Sequence, residues 1–291
     1  MGNDDSGSKS YHFAHYAVAV VDLLSQANLL EKLNQLPGAV DSRDEYVDAV
    51  RETVGRVILL RRGMHQSFNA FLNRPQRAGI GSLSQAHQAA YTRLRSLSLQ
   101  TQQFSDTIVA YSPLMTPSGD LTVSGIYGIM AACAQLMLSA LAVGIPVRGG
   151  IDVGIGVELA DADLYGPALS HAYHLEHTVA QYPRLVAGRG LLDYLSSWED
   201  PTIPNGIVNA FNRQLARTCR SFITTDDDEV QMLDYLGQPC RKVMDGPGYQ
   251  ELVALAFAFA TAEYDRFTRS GDTKLGPRYD CLRRYFASRM S

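Results

Sequence analysis

Two aspartates stand where carboxylate chemistry is needed: Asp22, closing the apolar run of HYAVAVVDLL, and Asp106, which follows Phe104 and Ser105 in FSDTIVAYSP. A carboxylate at the end of each of two neighbouring strands is what a two-metal phosphoryl-transfer site requires. A pair of divalent ions roughly 3.5 to 4 Å apart has to be bridged by oxygens, and antiparallel strands about 4.8 Å apart can supply them. A third segment follows in order, the strand-like VRGGIDVGIGVEL and then DADLYGPALSHAYHLE, which runs from Asp161 to Glu176. Taken without that order, the two aspartates read first as ordinary solvated carboxylates, one near a helix start and one in a turn.

The elements that must position these groups follow from hydrophobic periodicity. Residues 17–22 are Val-rich and apolar, which predicts a buried central strand. Ser42 and Glu45 have capping-box spacing. Val47, Val50, Val54, Val57 and Leu60 then recur at helical spacing, predicting a helix that runs to about Leu72, before Pro75. A second helix over 84–94 leads to a strand over 95–103, a turn, and a strand over 106–111. An apolar helix over 121–143, a strand over 146–157 and a helix from Gly166 to about Gln181 come next. Residues 182–187 read as a strand, 191–195 as a short helix, and 249–290 as two further helices.

Composition sets the class. A chain of 291 residues can bury a full core, and its net charge of −4 argues against a general nucleic-acid binder, which would carry a basic face. Cys133, Cys219, Cys240 and Cys281 have neither CxxC nor metal-ligand spacing and read as reduced buried thiols of a cytoplasmic protein. The acidic, polar MGNDDSGSKS has no secretory character, and its match to the myristoylation pattern is short and holds two aspartates. Residues 129–147 approach membrane-spanning length, but Gln135, Ser139 and Pro146 interrupt them, so burial in protein is expected. LVALAFAFATA near residue 255 is too short to span. No membrane or direct nucleic-acid partner is expected.

The ordered set, Asp22 after an apolar strand, Asp106 at a hairpin, a Gly-Ile strand, then Tyr165-Gly166 entering a helix, resembles class III nucleotide cyclase catalytic domains. The likeness is nearest to the stand-alone pyrimidine cyclases of the bacterial Pycsar anti-phage system and covers roughly residues 14–240. It implies an α+β fold, with a ferredoxin-like βαββαβ core, a central antiparallel sheet, extra helices in the N-terminal half and C-terminal helices. The expected organisation is a disordered tail over 1–13, the catalytic domain over 14–240, and a helical extension over 241–291. Asp22 and Asp106 lie 84 positions apart, more than in compact family members, and the excess falls in the helical region 66–94.

What the resemblance implies about activity is cyclisation of a nucleoside triphosphate. The 3′-hydroxyl would attack the α-phosphate and expel pyrophosphate, with UTP giving 3′,5′-cyclic UMP as the leading expectation and CTP giving cyclic CMP as the alternative. Two Mn²⁺ or Mg²⁺ ions per site would be held by Asp22, Asp106 and the backbone carbonyl of Leu23, with amides around 23–27 receiving phosphate oxygens. Homodimerisation would complete two sites, and the cyclic product would act on a separate effector. A catalytically inactive, cyclase-like nucleotide-binding module is the alternative of another class.

Several positions depart from the purine enzymes. The helix slots that hold Asn and, four residues on, Arg in that family hold Ser170 and His174 here. Serine can donate one hydrogen bond, and histidine can offset phosphate charge only when protonated. His171, His174 and His177 can equally line one helix face, and no carboxylate or Cys completes a metal pattern with them. The lysine slot before the second metal Asp is Gln102, whereas the acidic slot before the helix is retained as Asp163. An amide and a carboxylate suit a pyrimidine edge: Asp163 can accept from uracil N3–H while Gln102 donates to O4, and cytosine can be met by the same pair. Cations for the triphosphate are sought among Arg241, Lys242, Arg184 and Arg148.

Overall fold

The computed structural model describes residues 12–24, 40–73, 84–159, 163–244 and 246–290. Residues 1–11 of the expected tail, the myristoylation pattern, Pro75, the phosphate-binding amides at 25–27 and Asp161 lie outside the described residues, whereas His12 and Phe13, expected in the tail, are the first residues of the first strand and pair with the fourth. The architecture is α+β, a mostly antiparallel open sheet with helices on both faces. Its strands are β1 (His12–Leu23), β2 (Gln100–Phe104), β3 (Thr107–Pro113), β4 (Val147–Glu158), β5 (Leu164–Tyr165), β6 (Leu185–Ala187), β7 (Ile223–Thr225) and β8 (Gln231–Leu233). They run in the order β2-β3-β1-β4-β6-β8-β7, with β5 paired to β4 and the β4–β6 ladder parallel.

Strand β1 is central because it is apolar on both faces. Ala17, Ala19, Val21 and Leu23 enter the larger core, while Tyr16, Val18 and Val20 enter a second cluster on the opposite face. Asp22 continues the second series. The larger core is covered by α1 (Val40–Asn73), whose Val57, Leu60, Met64, Phe68, Phe71 and Leu72 lie at helical spacing, and by α3 (Ser124–Ala142). Gly128 lets α3 meet the Phe68 ring, since a Cβ there would lie 2.6 Å from it. Helix α3 is the one described helix long and apolar enough to cross a membrane, and 78% of its apolar window is buried inside the protein.

On the other face, α4 (Pro167–His174) lies across β4 and β1 and continues into one turn of π-helix, Leu175–Val179. Two glycines of β4 permit this contact. A Cβ on Gly150 would fall 2.5 Å from the Ala172 carbonyl oxygen and 2.9 Å from the Glu176 amide nitrogen, and one on Gly154 would touch the Ala168 backbone at 3.2 Å. Gly150→Ala is therefore expected to destabilise the protein by about 2–3 kcal/mol, because the obstruction is backbone and must be met by moving a whole helix. The midpoint of chemical denaturation measures this; an unshifted midpoint would show that α4 is not seated on β4 as described.

Helices α2 (Gln85–Leu94), α5 (Arg189–Ser197), α6 (Ile207–Arg220) and α7 (Gln238–Met244) surround the sheet, and α8 (Tyr249–Arg269) and α9 (Leu275–Met290) close the chain. The last two are packed into the main core through Val253, Ala256, Leu282 and Phe286. Ser84 caps α2, its hydroxyl accepting from the His87 amide at 3.4 Å. Some boundaries differ from the sequence reading. Helix α1 is already running at Val40, so Ser42 is not its N-cap. The strand expected from residue 95 begins only at Gln100; Arg95 closes α2, and its guanidinium donates to the Phe71 carbonyl at 2.6 Å. Helix α6 and the β7–β8 hairpin have no counterpart among the sequence expectations. The four cysteines are free, and burial pushes the Cys133 thiol up to about 12, which leaves it protonated and inert.

Candidate functional site

Sheet register brings the two aspartates to one end of the sheet. Asp22 is paired with Thr107 on β3, directly after the β2–β3 turn that contains Asp106. That turn has two residues, and the first, Ser105, has a φ of 56°, a left-handed value uncommon outside glycine. It is tied to β1 by the Leu23 amide, which donates to the Asp106 carbonyl at 3.3 Å, while the Leu24 amide donates to the Pro146 carbonyl at 2.9 Å. The Thr107 hydroxyl donates to Asp22 Oδ1 at 2.9 Å. Burial raises the Asp22 carboxyl above its ordinary range, Thr107 opposes the shift, and the Asp106 charge adds to it.

The other flank of Asp22 is cationic. Arg148, its register partner on β4, places Nη2 3.7 Å from Asp22 Oδ2 and Nε 2.9 Å from Glu176 Oε1. Glu176 is 2% exposed and comes from the π-helical turn. Burial raises its carboxyl, and the Asp22 charge adds to the shift. The His177 imidazole is close enough to favour the ionised form of both carboxylates and is stacked on Tyr173 at 5.6 Å. Asp22 and Glu176 thus share one guanidinium, while the Asp106 charge acts on Asp22 from the other side of the register.

The proposed base-reading pair is also brought together. Gln102 Nε2 donates to Asp163 Oδ1 at 2.8 Å across 61 positions of sequence. The Gln102 row, Gln102–Val109–Val20, lies two residues from the Asp22–Thr107 row, about 7 Å along the strands. Ser170 and His174, by contrast, are exposed on α4, and neither is among the groups that act on Asp22. Among the candidate phosphate cations, Arg148 alone contacts Asp22. Arg184 is committed to Asp226 and Asp228, with 2% of its side chain exposed. Arg241 lies over the Tyr249 ring at 5.7 Å, and Lys242 is exposed beside it in the last turn of α7.

Thr107 and Glu176 are the site residues that the sequence reading passes over. Glu176 had a signal: Ala168, Ala172 and residue 176 step by four along the face of α4 that meets the sheet, so a carboxylate falls in a buried stripe. Among the described residues no three His, Cys, Asp or Glu side chains converge into a ready-made metal cluster. The carboxylates of Asp22, at the end of β1, and Asp106, in the adjoining turn, are of the donor type that hard cations take. Comparison with models of known protein families finds no match, and comparison with curated protein sequences finds none either.

Proposed function

We propose that the protein is a pyrimidine nucleotide cyclase that converts UTP to 3′,5′-cyclic UMP and pyrophosphate, with CTP as the alternative substrate. The observation that carries this reading is the convergence of Asp22 and Asp106 at one sheet end, beside a Gln102–Asp163 pair on the same sheet face. The order β2-β3-β1-β4, with helices between β1 and β2 and between β3 and β4, supports a ferredoxin-like core like that of the cyclases it resembles.

Asp22, Asp106 and the Leu23 carbonyl would hold two Mn²⁺ or Mg²⁺ ions, which when bound supply positive charge to the attacking hydroxyl and the phosphates. The chain's own residues do the rest. Asp163 accepts from the base and Gln102 donates to it; the hydrogen bond between them fixes the amide orientation, because a carboxylate accepts only from the NH₂ end. Arg148 adds a fixed positive charge beside Asp22 for the triphosphate. The exposed placement of Ser170 and His174 supports a site completed by a second copy, whose helix would bring these residues to the substrate. The cyclic product would then act on a separate effector in anti-phage defence.

One observation favours the second reading, a catalytically inactive nucleotide-binding module: Arg148 already offsets part of the Asp22 charge that the cations need. Incubating the protein with ATP, GTP, CTP or UTP and Mn²⁺, followed by mass analysis, separates the two. Cyclic UMP or cyclic CMP is the expected product. Tight nucleotide binding with no cyclic product would establish the binding module instead.

A further inference from the structure

We infer that Glu176 is a positioning residue: it holds the Arg148 guanidinium back from Asp22, so that Asp22 keeps the charge needed to bind a divalent cation. The inference rests on the metal-binding role proposed for Asp22 and adds a residue which that reading does not require.

Three features support it. First, Arg148 and Asp22 are register partners on adjacent antiparallel strands, with side chains on one face, a geometry in which opposite charges pair directly. The observed separation is 3.7 Å, whereas Arg148 Nε lies 2.9 Å from Glu176 Oε1, the closer of two ion pairs, although its N–H is not aligned for a hydrogen bond. The guanidinium is therefore turned toward the more distant element. Second, Glu176 is buried to 2% exposure, and a buried carboxylate is retained against a large desolvation penalty, which its pairing with Arg148 offsets. Third, the backbone is shaped to deliver it. The π-helical turn Leu175–Val179 departs from the regular path of α4, and Gly150 leaves room for the Glu176 amide against β4.

Without the Glu176 charge, Arg148 is free to close on Asp22, and a close arginine–carboxylate pair competes with a cation for the same oxygens. The alternative is that Glu176 attracts cations directly through its charge. A double-mutant cycle on Mn²⁺ affinity, measured by calorimetry without nucleotide, separates the two. Glu176→Gln keeps the shape and is expected to weaken Mn²⁺ binding about tenfold in the native background. In an Arg148→Met background the same substitution is expected to change the affinity less than twofold.

An equal loss in both backgrounds, or no loss in either, would overturn the inference while leaving Asp22 and Asp106 as metal ligands. No Mn²⁺ binding by the native protein would overturn the metal reading itself, and the inference with it. The NMR signal of Arg148 Nε–H reports the Glu176 contact without metal. It should exchange slowly with solvent in the native protein and rapidly in Glu176→Gln. Fast exchange in the native protein would also sink the inference, and thermal melting of each variant establishes that it is folded.

Discussion

Asp22→Asn and Asp106→Asn are each expected to remove cyclic-nucleotide production by a factor on the order of a thousand or more, while leaving the protein folded. Each variant keeps the shape and hydrogen-bonding capacity of the side chain and removes one charge from the only place in the described structure where these two carboxylates converge. Asp22→Asn should also change the pH dependence of stability in a definite direction. Burial and the Asp106 charge raise the Asp22 carboxyl above its ordinary value of 3.8, although Thr107 and Arg148 oppose the shift. A carboxyl with a raised folded-state value binds its proton more tightly in the folded chain. Stability is therefore lost as pH climbs from the unfolded value through the folded one, and the loss is complete at neutral pH. Asparagine has no such loss, so melting of the metal-free variant at neutral pH should equal or exceed that of the native protein. Turnover within tenfold of native by either variant would remove the assignment.

The parts of the fold legible in the sequence are those where burial dictates residue type over a long run. Strand β1 is apolar on both faces, and α3 has few polar interruptions, so each announces itself without knowledge of its neighbours. The Asp22–Asp106 meeting was anticipated from the resemblance, because the residues alone read as two solvated carboxylates. Helix α6 was passed over although Asn212, Leu215, Ala216 and Cys219 recur at helical spacing along its buried face. The β7–β8 hairpin was not legible, because its strands have three residues each and are held by Arg184 and by α9 rather than by a pattern of their own. The segment 95–99 has apolar residues at alternate positions, yet it is not strand, because Arg95 is drawn back to the Phe71 carbonyl and the ladder to β3 starts only at Gln100. Within the site, the Gln102–Asp163 pair was anticipated from the resemblance, and its 2.8 Å hydrogen bond was not. Thr107 was missed because its partner Asp22 is set by strand register, which linear spacing does not give; the four-residue step marks Glu176 as buried, but its pairing with Arg148 depends on register and on the π-helical turn.

The largest loss of stability is expected from Arg184→Met, by about 3–5 kcal/mol, a fall in melting temperature of roughly 10 °C for a chain of this size. Arg184 donates to Asp226, to both carboxylate oxygens of Asp228 at 2.8 and 2.7 Å, and to the Val179 carbonyl at 3.0 Å, and it lies over the Tyr182 ring at 4.7 Å. It therefore joins β6, the end of the π-helical turn and the β7–β8 hairpin. Methionine fills much of the same volume but leaves Asp226, 14% exposed, with the Tyr182 hydroxyl and the amide of its own turn as hydrogen-bond donors. Breaking one side of a buried ion pair is far more harmful than removing an exposed one. Asp228, with 52% of its side chain exposed, provides the contrast: Asp228→Asn should shift the melting point by only about 1–3 °C. The same variant separates structure from chemistry. If Arg184 held the triphosphate, Arg184→Met would raise KM for the nucleotide with little change in melting. The expected result is the reverse, a large fall in melting temperature, with KM near native at temperatures where the variant remains folded. That outcome would leave Arg148 as the cation that serves Asp22 and the phosphates, with Arg184 acting as the clamp that holds the far edge of the sheet.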